Sequence, residues 1–452
     1  MLLSPSTSAR LRMKVAAVQA ERRVPSLVVA IASAGDPIEN ISIGKADFRA
    51  EREAGPEVQY RIGSITKTFT AMAVMQLVGE GRLDLRRPLS QRWSGAPHDE
   101  LSLADFLSHG SGLQREPPGR VWETLRFPNR EQLGANAEMA DRLYPPDSWF
   151  HYSNLAFALL GELVAQVSGT SWESYVKEHI LEPLEMRQTG PVPGPSAAQG
   201  YSVRPYTDEV IEEPALEIGG IAPAGQLWST ANDLCRWTGA LAGCRPDVLA
   251  PALLEQMRAP RTIADLEHWT SGFGLGLMLI RDGESVYVGH TGSMPGFVAA
   301  AFCHPSSGFG IVVLTNSTAG FNVAAVAAEL LTLVRDGDPS PSMWRPGDAA
   351  PDRIRPILGR WWSEWREWIF AWKDGKLQAS QAGAPPGEMV TEFAEIGTDE
   401  FVAVSGTERG ERLTLERGEG ADLAEVRKLY WATYPFTREP EPFGGTPTRP
   451  AS

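Results

Sequence analysis

A serine and a lysine three residues apart, Ser64-Ile65-Thr66-Lys67, stand where an extended run ending Arg61-Ile62-Gly63 gives way to the apolar stretch Phe69 to Val78. On a helix residues at this spacing share a face, so the Lys67 amine can reach the Ser64 hydroxyl. A hydroxyl beside a base, at a helix start with unpaired backbone N–H groups, has the parts of an activated nucleophile and an oxyanion site. The same spacing recurs at Ser42/Lys45 and Ser174/Lys177. The first pair lies in a Gly-containing strand-and-turn region, where positions i and i+3 face apart. The second falls inside a mixed polar helix expected from Trp172 to Ile180, with no helix start at its serine. Two more stretches offer partners. Tyr152-Ser153-Asn154 heads the helix expected over Leu155 to Val167, where a phenol can relay a proton between Ser64 and a leaving group. His290-Thr291-Gly292 is expected to end a strand, and small residues there let a substrate backbone approach its edge.

The elements that must carry these residues follow from periodicity and punctuation. Ser8 to Arg23 reads as an amphipathic helix, and a hairpin follows from Ser26 to Ala32 and Ile41 to Ile43 across Gly35-Asp36-Pro37. The stretch Thr70 to Val78 is apolar on every face, which predicts a helix buried on all sides. Helices dominate as far as Met186. Short β-type runs then appear at Phe273 to Ile280, Glu284 to Val288, Phe297 to Cys303 and Gly310 to Leu314, followed by a helix over Asn322 to Arg335. Strands at both ends with helices between predict an α+β domain: an antiparallel sheet flanked by helices, with an all-helical subdomain. This domain is expected over residues 1–336. A Pro/Gly/Asp-rich linker over 337–352 leads to a small all-β barrel or sandwich over 353–440, lipocalin-like if a barrel, and a tail over 441–452. Its tryptophans, Trp361, Trp362, Trp365, Trp368 and Trp372, are expected to fill its core.

Composition bounds the function. The 452 residues are 42% hydrophobic and 22% charged, as in a soluble globular protein. A net charge of -14 disfavours nucleic acid, whose binding depends on basic side chains neutralising phosphate. No apolar run is long enough to span a bilayer, and the N-terminal charges precede any apolar segment, so a cytoplasmic protein is expected. Cys235, Cys244 and Cys303 follow no ligand spacing and are expected to be buried; with no His-Glu-x-x-His either, neither metal nor other cofactor is expected. The expected partner is a small molecule or short peptide, with self-association left open.

The three motifs together resemble those of the penicillin-recognising serine hydrolases, the superfamily of class C β-lactamases, D-alanyl-D-alanine carboxypeptidases, D-aminopeptidases and related esterases. Leu107-Ser-His-Gly-Ser-Gly-Leu113, Ile180 to Met186 and Ala224 to Asp233 are also similar to stretches of that family, and the likeness runs from about Ala16 to Val334. The resemblance implies that Ser64 is acylated while Lys67 and Tyr152 share the proton. It implies too that Asn154 bonds Lys67 and the substrate amide, and that His290, Thr291 and Gly292 line the far wall. The amides of Ser64 and Ser293 would form the oxyanion hole. His-Thr-Gly stands where β-lactamases carry Lys-Thr-Gly, so efficient β-lactam hydrolysis is not expected. Histidine near its ordinary pKa would make carboxylate recognition at that wall depend on pH. The expected activity is hydrolysis of small peptides, amides or esters, with D-residue specificity as one form. Acyl transfer or peptide cyclisation from the same acyl-enzyme, or a β-lactam-type sensor without turnover, are the alternatives.

Overall fold

The computed structural model describes residues 3–318, 322–337, 346–384, 390–418 and 425–441. The chain forms two compact units, Met1–Pro339 and Ser340–Ser452. Residues 338–345 of the expected linker and 442–452 of the expected tail lie outside the described residues.

In the first unit, helix α1 (Pro5–Arg22) leads into strands β1 (Ser26–Ser33) and β2 (Asp36–Asp47). The later strands are β3 (Met278–Asp282), β4 (Ser285–Met294), β5 (Phe297–His304) and β6 (Phe309–Thr315). With three short edge strands they form one nine-stranded antiparallel sheet. Its order is Arg52–Glu53, β2, β1, β6, β5, β4, β3, Ser271–Phe273, Thr262–Ile263. The register sets Val29 opposite Val313 on one side and Ile41 on the other. Alternation divides β1 between two cores. Leu27, Val29 and Ile31 pack with Leu11 and Val15 of α1 and with Leu330 and Leu331 of the helix Val323–Arg335. Val28, Ala30 and Ala32 join the larger core built by the internal helices.

The internal region holds α2 (Thr66–Gly79), α3 (Leu103–Leu107), α4 (Asn154–Ser168) and α5 (Ala231–Ala242). Helix α2 is buried from Thr66 through Met75, as expected of a run apolar all round. Trp237 of α5 stacks on Phe69 with centroids 3.9 Å apart, and its indole donates to Thr68 Oγ1 at 2.9 Å.

Several local expectations need correction. Helix α2 does not begin at Ser64: a 3-10 turn over Gly63–Ile65 precedes it, entered through Gly63 in the left-handed region at φ 50. The run Phe273 to Ile280 is two strands, because Gly276 (φ 75) turns the chain to donate its amide to Leu107 O. The polar helix from Trp172 stays α-helical to Val176 and then takes a π turn over Lys177–Leu181. His290-Thr291-Gly292 does not end its strand, since β4 continues to Met294 before a turn at Gly296 (φ 77) pairs it with β5. Cys244 is exposed, while Cys235 and Cys303 are buried.

The second unit is one eight-stranded antiparallel sheet in sequential order, from Gly359–Ser363 to Tyr434–Phe436. Trp362 and Thr437 exchange two backbone hydrogen bonds (2.7 and 2.9 Å) between its first and last strands, which makes the sheet a nearly closed barrel. Trp361 is fully buried in the barrel core and Trp368 and Trp372 pack partly against it. Trp365 is 66% exposed in a turn.

Candidate active site

Ser64 is delivered by the tight turn between the short strand Tyr60–Arg61 and α2. Ile62 N donates to Leu227 O and Ile65 N to Ile62 O, which fixes the turn. One helical turn on, Lys67 is fully buried with its Nζ 3.1 Å from Ser64 Oγ, 2.6 Å from Asn154 Oδ1 and 2.7 Å from Ala224 O. Burial pushes the Lys67 amine well below the usual lysine range; the Glu116 carboxylate opposes that shift and the Arg115 guanidinium adds to it. Tyr152 hydrogen-bonds Ser64, and burial drives its phenol far up, so it is a neutral donor. Asn154 opens α4, capped by the Ser153 hydroxyl, which accepts from Ala156 N. Ser64, Lys67, Tyr152 and Asn154 thus form one connected cluster.

Strand β4 supplies the opposite wall. A Cβ on Gly292 would stand 1.8 Å from Ile62 O, and one on Gly63 would stand 2.6 Å from Ser293 N. The strand and the Ser64 turn therefore touch backbone to backbone, and the bare face of Gly292 serves that contact. His290 is buried, its Nδ1 2.5 Å from Thr291 O. Burial, with the nearby Lys67, pushes its pKa down to about 3, so it is neutral and does not titrate near its ordinary value as the sequence suggested. The other two serine-lysine pairs have no such setting: Lys45 is ion-paired to Glu51 and Glu53, and Lys177 is 71% exposed beside Glu182.

Three side chains that sequence reasoning did not assign complete the site. His109, left-handed at φ 58, holds Tyr152 from three directions. Its Nδ1 accepts from Ser153 N at 3.1 Å, its carbonyl accepts from His151 N at 2.9 Å, and its ring stacks on the phenol with centroids 4.2 Å apart. The stretch Leu107 to Leu113 was a visible signal for it, without a role attached. Glu116 accepts from Asn154 Nδ2 at 2.6 Å, and the Arg115 guanidinium lies 4.8 Å from the Tyr152 ring centroid. Nothing in the local sequence marked either. All of these except His109 and Lys67 line a cleft of about 1160 Å³ with Phe150, Phe273 and Met294. Among the described residues no three His, Cys, Asp or Glu side chains group as metal ligands, and no helix is long and apolar enough to cross a membrane.

A serine, a buried lysine and a tyrosine meeting where an antiparallel sheet joins a helical region define a class. The chain belongs to the beta-lactamase family, which matches residues 11–335. Residues 350–438 match a domain of unknown function, DUF7586. Protein flp of Staphylococcus aureus (strain MW2) is 26% identical over 307 residues, covering 65% of this chain and 60% of that protein. The chain thus spans well under two thirds of that relative's length. Among solved structures, the octameric penicillin-binding protein homologue from Pyrococcus abyssi superposes with a TM-score of 0.66 at 23% identity, over 95% of this chain and 99% of that one. The D-amino acid amidase from Ochrobactrum anthropi SV3 superposes with a TM-score of 0.65 at 21% identity, over 73% and 99%. At these identities both show the shared fold.

Proposed function

We propose that the protein is a serine hydrolase that forms an acyl-enzyme at Ser64 on small amides, esters or short peptides. The observation that carries this reading is the setting of Lys67 among three polar partners. In the neutral amine two hydrogens go to Asn154 Oδ1 and Ala224 O, which leaves the lone pair for the Ser64 hydroxyl 3.1 Å away. Ser64 Oγ attacks the substrate carbonyl as its proton moves to Lys67. Tyr152, bonded to Ser64 and protonated, passes a proton to the leaving group as the C–N or C–O bond breaks, and regains one from Lys67. Water then cleaves the ester. The Ser64 and Ser293 amides serve as oxyanion donors, of which losing one costs about 3 kcal/mol of transition-state stabilisation. The likeness to a D-amino acid amidase supports an amide or peptide whose acyl half is a D-residue.

Ser64→Ala should abolish covalent labelling by a fluorophosphonate, read as an intact-mass shift, while Ser42→Ala and Ser174→Ala keep it. Labelling that survives in Ser64→Ala overturns the assignment.

A further inference from the structure

We propose that His109 is a positioning residue for this chemistry: it holds the Tyr152 phenol on Ser64, and proton delivery to the leaving group depends on it. The inference rests on the hydrolase reading above. Ser64 and Tyr152 meet from separate parts of the chain. Ser64 is set by its turn against β4, whereas Tyr152 lies just before α4 in a stretch, Phe150 to Ser153, that belongs to no helix or strand. A ring on such a stretch must be fixed from outside it. His109 does this on both sides of the phenol: its carbonyl accepts from His151 N at 2.9 Å and its Nδ1 from Ser153 N at 3.1 Å. Between those two bonds its ring covers the phenol, 28° from parallel with centroids 4.2 Å apart. One residue thus constrains both chain neighbours of Tyr152 and the side chain itself.

The clamp is anchored in turn. Gly276 N donates to Leu107 O at 2.8 Å and Thr262 Oγ1 to Ser108 O at 2.6 Å. Beyond His109, Asp147 N donates to Gly110 O at 2.9 Å and Leu143 N to Gly112 O at 2.7 Å. Thr262 and Phe273 lie on the last two strands of the nine-stranded sheet, and Phe273 stands edge-on to the His109 ring at 5.0 Å. The sheet that sets Ser64 through β4 therefore also sets Tyr152 through His109.

Filling space does not account for a histidine here. Because Ser153 N donates to Nδ1, the imidazole hydrogen is on Nε2, which is buried with no partner among the described residues. A buried donor without an acceptor is costly, and a left-handed backbone at a residue other than glycine adds to the cost. Phenylalanine would stack without the orphaned N–H but offers Ser153 N no acceptor. Asparagine suits the backbone and offers an acceptor but has no ring. Histidine supplies both, and burial, with Lys67 nearby, keeps it neutral so that Nδ1 can accept.

The test is a double-mutant cycle on the rate of fluorophosphonate labelling, read by intact mass. His109→Ala removes both the stack and the acceptor, while His109→Asn keeps an acceptor for Ser153 N. Each should slow labelling, alanine by at least about tenfold and asparagine by less. In a Tyr152→Phe background neither should slow it by more than about twofold, because the proton donor they position is already gone. Slowing that persists in that background would mean that His109 acts through the fold at large, and no slowing would mean that the phenol keeps its place unaided; either overturns the proposal. Circular dichroism melting identifies a variant that fails to fold, and if His109→Ala does so, His109→Asn carries the cycle alone. The loss of kcat/KM should also be larger for an ethyl ester than for the p-nitrophenyl ester of the same acid, whose leaving group departs without a proton. Equal losses on the two esters count against the inference. Wild type that never labels at Ser64 defeats the hydrolase reading instead, so the two failures are distinct.

Discussion

At Lys67 burial outweighs every charge around it: the amine has three polar neighbours, none of them a carboxylate, and burial leads the causes that lower its pKa. Acylation should rise with pH as the neutral amine populates, at a pH well below the ordinary lysine range. His290 is buried near Lys67 and is already neutral above pH about 3. Replacing it with Asn should therefore leave the shape of the kcat/KM profile unchanged between about pH 5 and 8, whatever it does to the magnitude. A limb in that window that vanishes in His290→Asn would show that the imidazole titrates there. The sequence carried the identities of Ser64, Lys67, Tyr152 and His290, because their types and spacing are local facts. It could not carry the protonation state of His290, which depends on chain folded over it, nor the clamp of His109 on Tyr152, which joins two distant loops.

The element that decides the site's geometry is the contact of β4 with the turn before α2. Gly63 and Gly292 meet there so closely that a methyl group on either would overlap backbone atoms, which cannot swing aside as a side chain can. Gly292→Ala should push β4 off the Ser64 turn and lower kcat/KM by about a hundredfold or more, with an overpacking cost of about 1–3 kcal/mol in stability. Circular dichroism melting and fluorophosphonate labelling rate measure the two effects. A variant that labels at the wild-type rate would mean that the wall is not set by this contact. The buried helix and the strand-helix-strand order were legible as patterns of apolar residues. The length of β4 was not: the sequence reading ended the strand at His290-Thr291-Gly292, and pairing with β5 carries it on to Met294.

At the scale of the molecule, the two units match separate families, and the stretch between them is rich in Pro, Gly and Asp. Limited proteolysis should cut first between Asp336 and Asp352 and release two resistant fragments. A first cut inside Ile357 to Leu377 would contradict an independent second domain. Turn spacing made the barrel's middle strands readable but not Gly359–Ser363, Val426–Trp431 or Tyr434–Phe436, and the choice of barrel over sandwich rests on the Trp362–Thr437 bridge, a pairing of residues far apart in sequence. The nine-stranded sheet has a comparable long-range join at its centre, where Leu27 to Ser33 of β1 pair with Phe309 to Thr315 of β6. During synthesis β1 emerges with the edge that β6 will take unpaired, and that edge stays open until Phe309 to Thr315 have been made. A ribosome stalled before β6 would therefore display the open backbone edge of β1, a ready template for pairing with another chain.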